Sequence, residues 1–388
     1  MSLDSLDMAS ATRSQSLATS DRLSGPSVPA PAPVLVRGES LDSLVIVGEA
    51  GEALTALTSG ALGEGYLNSV KLCYLDPPYN TGERFAYYDD RQGSHDWLEA
   101  LRGNLLKLRP LLAADASVWL HLDDSEQHRA RVVLDEVFGR EAFVATVIWQ
   151  KRLTRDNRTA FSSMHDYIHV YAPGGPRAWK KVRNGLADDG AFSNPDNDPR
   201  GPWRSAPMTV QAGHATASQF YTVVTPTGTR HEPPAGRCWT FTAERLAQLD
   251  RDGRVYWPRG GEGKPRLKRY ECESEGLAPF TIWGASEVGD TSVAKKSLMR
   301  QFPGHAAFDT PKPVALLERI VQIATDPGDL VLDYYLGSGT TAVASQALGR
   351  RWVGVERNAD VVEAFVLPRL GATFEDGSHG GYGLARVR

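Results

Sequence analysis

Apolar and polar positions change rhythm twice along the chain. From Leu44 onward, short apolar runs alternate with amphipathic stretches. Leu44-Val45-Ile46-Val47 and Val70-Lys71-Leu72-Cys73-Tyr74-Leu75 have the length and composition of buried strands. Ala53, Leu54, Leu57 and Leu62 predict a short helix between them. His95 to Leu112 reads as a helix, because Trp97, Leu98, Leu101, Leu105, Leu108 and Leu112 recur at helical spacing. Ala116 to Leu122 reads as a strand, Ser125 to Phe138 as a helix stopped by Gly139, and Ala142 to Trp149 and Tyr167 to Tyr171 as further strands. Between Pro173 and Gly304 the periodicity fades. Gly, Pro, Arg and Trp become frequent there, and Asn194 to Trp203 is dense in turn formers. The earlier rhythm then resumes. A helix is predicted over Val314 to Thr325, a strand over Leu330 to Asp333, a helix from Gly337-Ser338-Gly339-Thr340-Thr341 to about Leu348, and a strand over Trp352 to Glu356. Strands alternating with helices predict an α/β fold, a Rossmann-like and mostly parallel sheet with helices on both faces. The irregular middle predicts an inserted, loop-rich domain.

Composition changes this picture at three points. Residues 1–40 hold nine serines and four prolines and no Phe, Tyr or Trp, so they are expected to be a disordered tail. No apolar run approaches the roughly 18 residues of a membrane helix, and the N-terminus lacks the apolar core of a secretory signal. A cytoplasmic protein without a membrane partner is expected. Three widely spaced cysteines exclude a disulfide framework and a four-cysteine zinc site. The nine histidines show no metal-binding spacing, so no metal is expected. The net charge of -4 hides an asymmetry. Lys151 to Phe308 carries 23 basic against 16 acidic residues, and the remainder 20 against 31. A basic middle between acidic flanks points to a polyanionic partner, with a solvated surface as the alternative.

Two motifs carry chemistry. Asp76-Pro77-Pro78-Tyr79 follows a buried strand. Two prolines fix the backbone and place their carbonyls rigidly, because proline has no N–H and one φ value. With Asp76 they form a cluster of acceptors. Such acceptors suit an NH2 group whose lone pair is delocalised into a ring, such as the exocyclic amine of adenine. Hydrogen bonds from both amine hydrogens to Asp76 and the Pro77 carbonyl would favour the tetrahedral nitrogen. Tyr79 offers a flat face to a base turned out of its stack. A bare strand-ending turn is the alternative for the tetrapeptide alone. The second motif is Asp333-Tyr334-Tyr335-Leu336-Gly337-Ser338-Gly339-Thr340-Thr341, between a strand and a helix. Its glycines allow a tight turn and close approach of a ligand to backbone N–H groups. Glu356 ends the next strand, where a carboxylate suits ribose hydroxyls.

These residues resemble the β-class of amino-group DNA methyltransferases, and most of all the methylation subunits of type III restriction-modification systems. In that class the catalytic motif precedes the S-adenosylmethionine motif, and a target-recognition domain lies between them. The same order appears here, together with His165 to Ala172, Asn194 to Trp203, Pro265 to Arg269 and Asp309 to Pro313. The resemblance spans about Leu44 to Val362. It implies a catalytic domain in two parts, 41–172 and 305–388, around a recognition insert at 173–304. It implies transfer of a methyl group from S-adenosylmethionine to N6 of adenine in duplex DNA, by base flipping and in-line attack.

The implied catalytic residues are Asp76, Pro77, Pro78 and Tyr79. Cofactor binding would fall to Glu49, Thr310, Lys312, Pro313, Asp333, Tyr335, Gly337, Ser338, Gly339, Thr340 and Glu356. Tyr335 stands where the family usually has phenylalanine, and Glu49 where it often has aspartate. Thr310, Lys312 and Pro313 would close the cofactor pocket. Arg152, Lys180, Lys181, Arg266, Lys268 and Arg269, with Arg155 and Arg158, are the candidates for DNA phosphates. A homodimer and a restriction subunit are the further partners that the resemblance implies.

Two other activities stay open at this point. Cytosine N4 methylation is the same chemistry on a similar amine, but its family members usually carry serine in place of Asp76. A non-catalytic DNA-binding module could retain the fold. A C5-cytosine enzyme is disfavoured because no Pro-Cys dipeptide occurs. Trp149 and Cys73, both within apolar strands, read as core residues rather than as a stacking platform or a reactive thiol.

Overall fold

The computed structural model describes residues 34–37, 43–62, 65–81, 93–187, 192–304, 308–375 and 381–387. Among them, ten strands form one mixed sheet. In chain order they are β1 (Val34–Arg37), β2 (Ser43–Val47), β3 (Val70–Leu75), β4 (Leu112–Leu122), β5 (Phe143–Gln150), β6 (His165–Tyr171), β7 (Ile282–Trp283), β8 (Leu330–Asp333), β9 (Arg351–Glu356) and β10 (Tyr382–Arg386). Across the sheet they lie in the order β1-β10-β2-β9-β8-β3-β4-β6-β5-β7. Pairing is parallel throughout except for β1 against β10 and β6 against its two neighbours. The expected parallel α/β sheet is therefore present, with two strands reversed.

The apolar runs form strands because both faces of the sheet are covered. The helices Ala50–Thr58, Ser94–Leu108 and Gln127–Phe138 cover one face, where Leu54, Leu105 and Leu134 are fully buried against Cys73, Leu75 and Leu120. The helix Val314–Ala324 covers the other, together with Pro176–Val182 and Thr340–Ala347. Its six buried side chains include Leu316, Leu317 and Ile320. Truncating one such residue to alanine costs about 2–5 kcal/mol. No described helix is long and apolar enough to cross a membrane.

The topology joins distant segments. Strand β8 lies beside β3, with Leu332 opposite Cys73. The residues that follow, Asp333 and Asp76, therefore leave the sheet side by side at the carboxyl ends of adjacent strands. The chain order reverses at this junction, the place where open α/β sheets form a ligand crevice.

Two expected boundaries shift. The tail expected at 1–40 includes β1, which pairs with β10; residues 1–33 and 38–42 lie outside the described residues. The insert expected at 173–304 is narrower. Trp179, on the helix after β6, is buried against Trp119 in the sheet's own core. Ile282 and Trp283 rejoin the sheet beside Ile148 and Trp149. Leu186 and Leu277 exchange backbone hydrogen bonds of 2.8 Å and form the neck between these points. Beyond the neck lies a separate small core around Met208, Trp239, Leu246 and Leu267. The flanks differ from the expectation because the apolar stretches at Trp179 and Ile282-Trp283 are too short to stand out in irregular sequence.

Candidate active site

A single cleft at the strand ends is lined by both sequence motifs. From the first come Asp76, Pro77, Pro78 and Tyr79, and from the second Asp333, Tyr335, Gly337, Ser338 and Thr340. Glu49, Thr310, Lys312 and Glu356 also line it. Pro313 and Gly339 stand behind the wall instead. Pro313 caps the helix that begins at Val314, and Gly339 starts the helix at Thr340 with φ of 85°.

Asp76 is held from two sides. Lys312 Nζ lies 2.8 Å from Oδ1 and 2.6 Å from Oδ2, and the Tyr79 hydroxyl donates to Oδ1 at 2.9 Å. Lys312, expected at the cofactor, thus spends its ammonium on the Asp76 carboxylate. The indole Nε1 of Trp97 donates to the Pro78 carbonyl at 2.8 Å and fixes the turn between the motif's two halves. Burial, aided by the charges of Asp166 and Asp76, raises the Tyr79 phenol well above its ordinary value. Tyr79 therefore stays a neutral donor.

Behind Tyr79 lies a buried network that the motifs did not reveal. The Tyr74 hydroxyl is 2.8 Å from Nδ1 of His121, whose Nε2 is 3.3 Å from Asp166 Oδ2. Lys151 Nζ donates to Asp166 Oδ1 at 2.7 Å. The Tyr79 hydroxyl is 3.5 Å from Asp166 Oδ2. Burial, then the charge of Lys312, lowers the His121 pKa, so its ring is neutral and fits the Nε2–H tautomer. Burial alone would raise the Asp166 carboxyl. The hydrogen bond from His121 and the charges of its neighbours overcome that and hold it at about 2. The signal was present in sequence. Asp166 and His121 are polar residues on inward-facing positions of apolar strands. Trp149 is fully buried and donates to the Gly289 carbonyl at 3.0 Å, as a core residue does.

The cofactor half has its own electrostatics. Asp333 is buried and accepts from Thr341 Oγ1 at 2.6 Å and from the Tyr335 amide at 2.9 Å. Burial pushes its carboxyl up to about 7. Glu356 accepts from the amides of Gly337 and Asn358 at 2.9 Å, and burial raises it as well. At Gly337, φ is 54° and an added Cβ would lie 3.3 Å from the Phe308 ring, so both the backbone conformation and the close packing of this turn favour glycine. Glu49 and Glu356 at this cleft suit a ligand bearing ribose hydroxyls and a positive charge. S-adenosylmethionine fits that donor set. Among the described residues, no group of three His, Cys, Asp or Glu could hold a metal ion.

The expected DNA contacts separate into four kinds. Arg152 and Arg269 are exposed. Arg266 is half-buried and bonds to Ser205. Lys268 is buried, pairs with Asp196 and lies 2.9 Å from Asp198, so it holds the insert together rather than facing phosphates. Lys180 and Lys181 are exposed but follow the Tyr171 end of β6. That strand runs antiparallel to β4, so they sit at the opposite end of the sheet from Asp76.

The StyLTI type III restriction-modification Mod subunit of Salmonella typhimurium is 31% identical over 318 residues, which cover 74% of this chain and 48% of that protein. The type II methyltransferase M.EcaI of Enterobacter cloacae is 30% identical over 300 residues, covering 74% and 62%. The chain thus spans about half the length of the curated relatives it matches. Among solved structures, the cytosine-N4-specific PvuII DNA methyltransferase aligns with a TM-score of 0.47 and 13% identity, covering 87% of this chain and 88% of that one. The model of the DNA methylase family matches residues 70–367, from β3 through both motifs to the helix after β9, and the chain belongs to that family.

Proposed function

We propose that this protein is a site-specific DNA methyltransferase that uses S-adenosylmethionine to modify N6 of adenine in duplex DNA. The observation that carries the proposal is the carboxylate of Asp76 at the wall shared by the two motifs, with its acceptor face set by Lys312 and Tyr79. An ionised carboxylate has about four lone-pair positions. Tyr79 and Lys312 use both positions on Oδ1, and Lys312 uses one on Oδ2. Capacity remains for an amine N–H of a flipped base. The rigid carbonyl of Pro77 supplies a second acceptor. Both hydrogen bonds draw the amine toward the tetrahedral form and raise the nitrogen's nucleophilicity.

Glu356 and Glu49 would hold the cofactor's sugar and adenine, while Tyr335 and Gly337 flank its methionine part. The bound cofactor supplies an electrophilic sulfonium methyl group. Holding both reactants in one cleft is the main source of acceleration, since no covalent enzyme intermediate is needed. The insert beyond the Leu186–Leu277 neck is proposed as the sequence reader, with Arg152 and Arg269 on phosphates.

Transfer of label from tritiated S-adenosylmethionine to unmethylated genomic DNA, followed by chromatography of the bases, tests the proposal. Labelled N6-methyladenine is expected. Labelled N4-methylcytosine would overturn the base assignment, and absence of labelled DNA would overturn the reaction.

A further inference from the structure

The segment between β5 and β6 is a closed loop whose two feet stand on the site. The Lys151 amide donates to the Met164 carbonyl at 3.0 Å, and Lys151 Nζ pairs with Asp166, directly behind Tyr79. The residues between, 152–163, are tied to one another. The Asp156 amide donates to Ser162 Oγ at 2.8 Å. Thr159 Oγ1 reaches the carbonyls of Asp156 and Phe161 at 3.0 Å each. Arg158 grips the Asp156 carboxylate with two bonds of 2.8 Å. A loop of this length with joined ends and internal bonds is a compact Ω-type structure.

This loop presents Phe161 to solvent at 92% exposure, the highest among the large apolar side chains of the described residues. Leu153 is 63% exposed. Lys151, Arg152, Arg155 and Arg158 face a single acid, Asp156, within the same segment. An aromatic side chain held out in water on a fixed, basic loop has no role in the chain's own core. Its surroundings match a polyanion. A base reaches Asp76 only after leaving its duplex stack, and that exit leaves a gap between neighbouring bases. Apolar side chains fill such gaps in proteins that kink or open DNA.

We propose that Phe161 is the wedge that enters the duplex where the target base is turned out, with Arg152 and Arg155 on the flanking phosphates. This rests on the methyltransferase reading. The loop's attachment through Lys151 and Asp166 couples the wedge to the wall behind Tyr79, so insertion and base capture occur on one rigid support. Phe280 is an internal control. It is 83% exposed, yet no Lys or Arg occurs between residues 271 and 290.

The test uses two oligonucleotide duplexes carrying a site mapped in cellular DNA, one fully paired and one with an abasic position opposite the target adenine. Removing the partner base lowers the work of extrusion. Phe161→Ala is expected to lose roughly tenfold or more in kcat/KM on the paired duplex and to stay within about threefold of wild type on the abasic one. Phe161→Leu should recover most of the loss, and Phe280→Ala should match wild type on both duplexes. Wild-type rates for Phe161→Ala on the paired duplex would overturn the proposal. So would an equal loss on both duplexes, which would mark the loop as a structural element or a surface for another protein. Failure of the wild type on both duplexes would overturn the methyltransferase reading and the wedge with it.

Discussion

Lys312→Met is the perturbation that most directly probes how the Asp76 carboxylate is held. The Lys312 side chain is 7% exposed and that of Asp76 21%, and the ammonium reaches both carboxylate oxygens. Unit charges about 4 Å apart at an effective dielectric of about 20 attract by about 4 kcal/mol. Much of that is offset by withdrawing both charges from water. A net coupling of about 1–3 kcal/mol is therefore expected. Methionine keeps the stem's packing and removes only the charge. Urea unfolding of Lys312→Met, Asp76→Asn and the double variant gives the coupling as a double-mutant cycle. Activity gives the second reading. Without Lys312 the carboxylate loses its fixed orientation, so kcat should fall roughly tenfold or more while cofactor affinity changes little. A coupling below about 0.5 kcal/mol would refute the electrostatic argument. Equal losses in cofactor affinity and kcat/KM would show that Lys312 acts on the cofactor instead.

Three further outcomes rest on other side chains. Lys268→Met should lower the unfolding stability of the insert without changing the salt dependence of DNA binding, because its ammonium is used by Asp196 and Asp198. Arg152→Gln should leave stability unchanged and reduce the slope of log K against log salt by about one, as for a lost phosphate contact; fluorescence titrations at several salt concentrations separate the two. Asp333 predicts a pH dependence. Its folded carboxyl is raised to about 7 from an ordinary 3.8, so the folded chain binds the extra proton between those values. Stability then falls as pH rises from about 4 to 7. Asp333→Asn should flatten that part of the unfolding profile, and an unchanged slope would remove Asp333 as its cause.

The site was legible wherever chemistry and burial coincide locally. Val70–Leu75, apolar but for Lys71 and followed by Asp76, and Leu330–Leu332, followed by Asp333, both became central parallel strands whose ends form the cleft. The turn at Gly337 needed a positive φ, and glycine stood there. What stayed hidden depends on partners far along the chain. Lys268 sits among Arg266, Arg269 and other exposed-looking residues, and nothing near it announces Asp196 and Asp198 some seventy positions earlier. Lys312 lies in a proline-rich turn, and only the pairing of β8 with β3 brings it to Asp76. Strands β1 and β10 escaped notice because each is short, β1 lying at the sheet's edge and β10 having its apolar pattern broken by Gly383. Asp166 was visible as a carboxylate on the inner face of β6, but its meaning required His121 and Lys151 from neighbouring strands.

The central claim is that Asp76 activates an adenine amine beside a separate cofactor site. Modified-base sequencing of DNA from a methylation-free host tests it, comparing cells that express the wild type with cells that express Asp76→Ala. Calorimetry with S-adenosylmethionine on both purified proteins accompanies the sequencing. The account predicts N6-methyladenine at one defined motif with the wild type, none with the variant, and cofactor binding by both. Methylation that persists in the variant, or a variant that has lost the cofactor along with the activity, would contradict it.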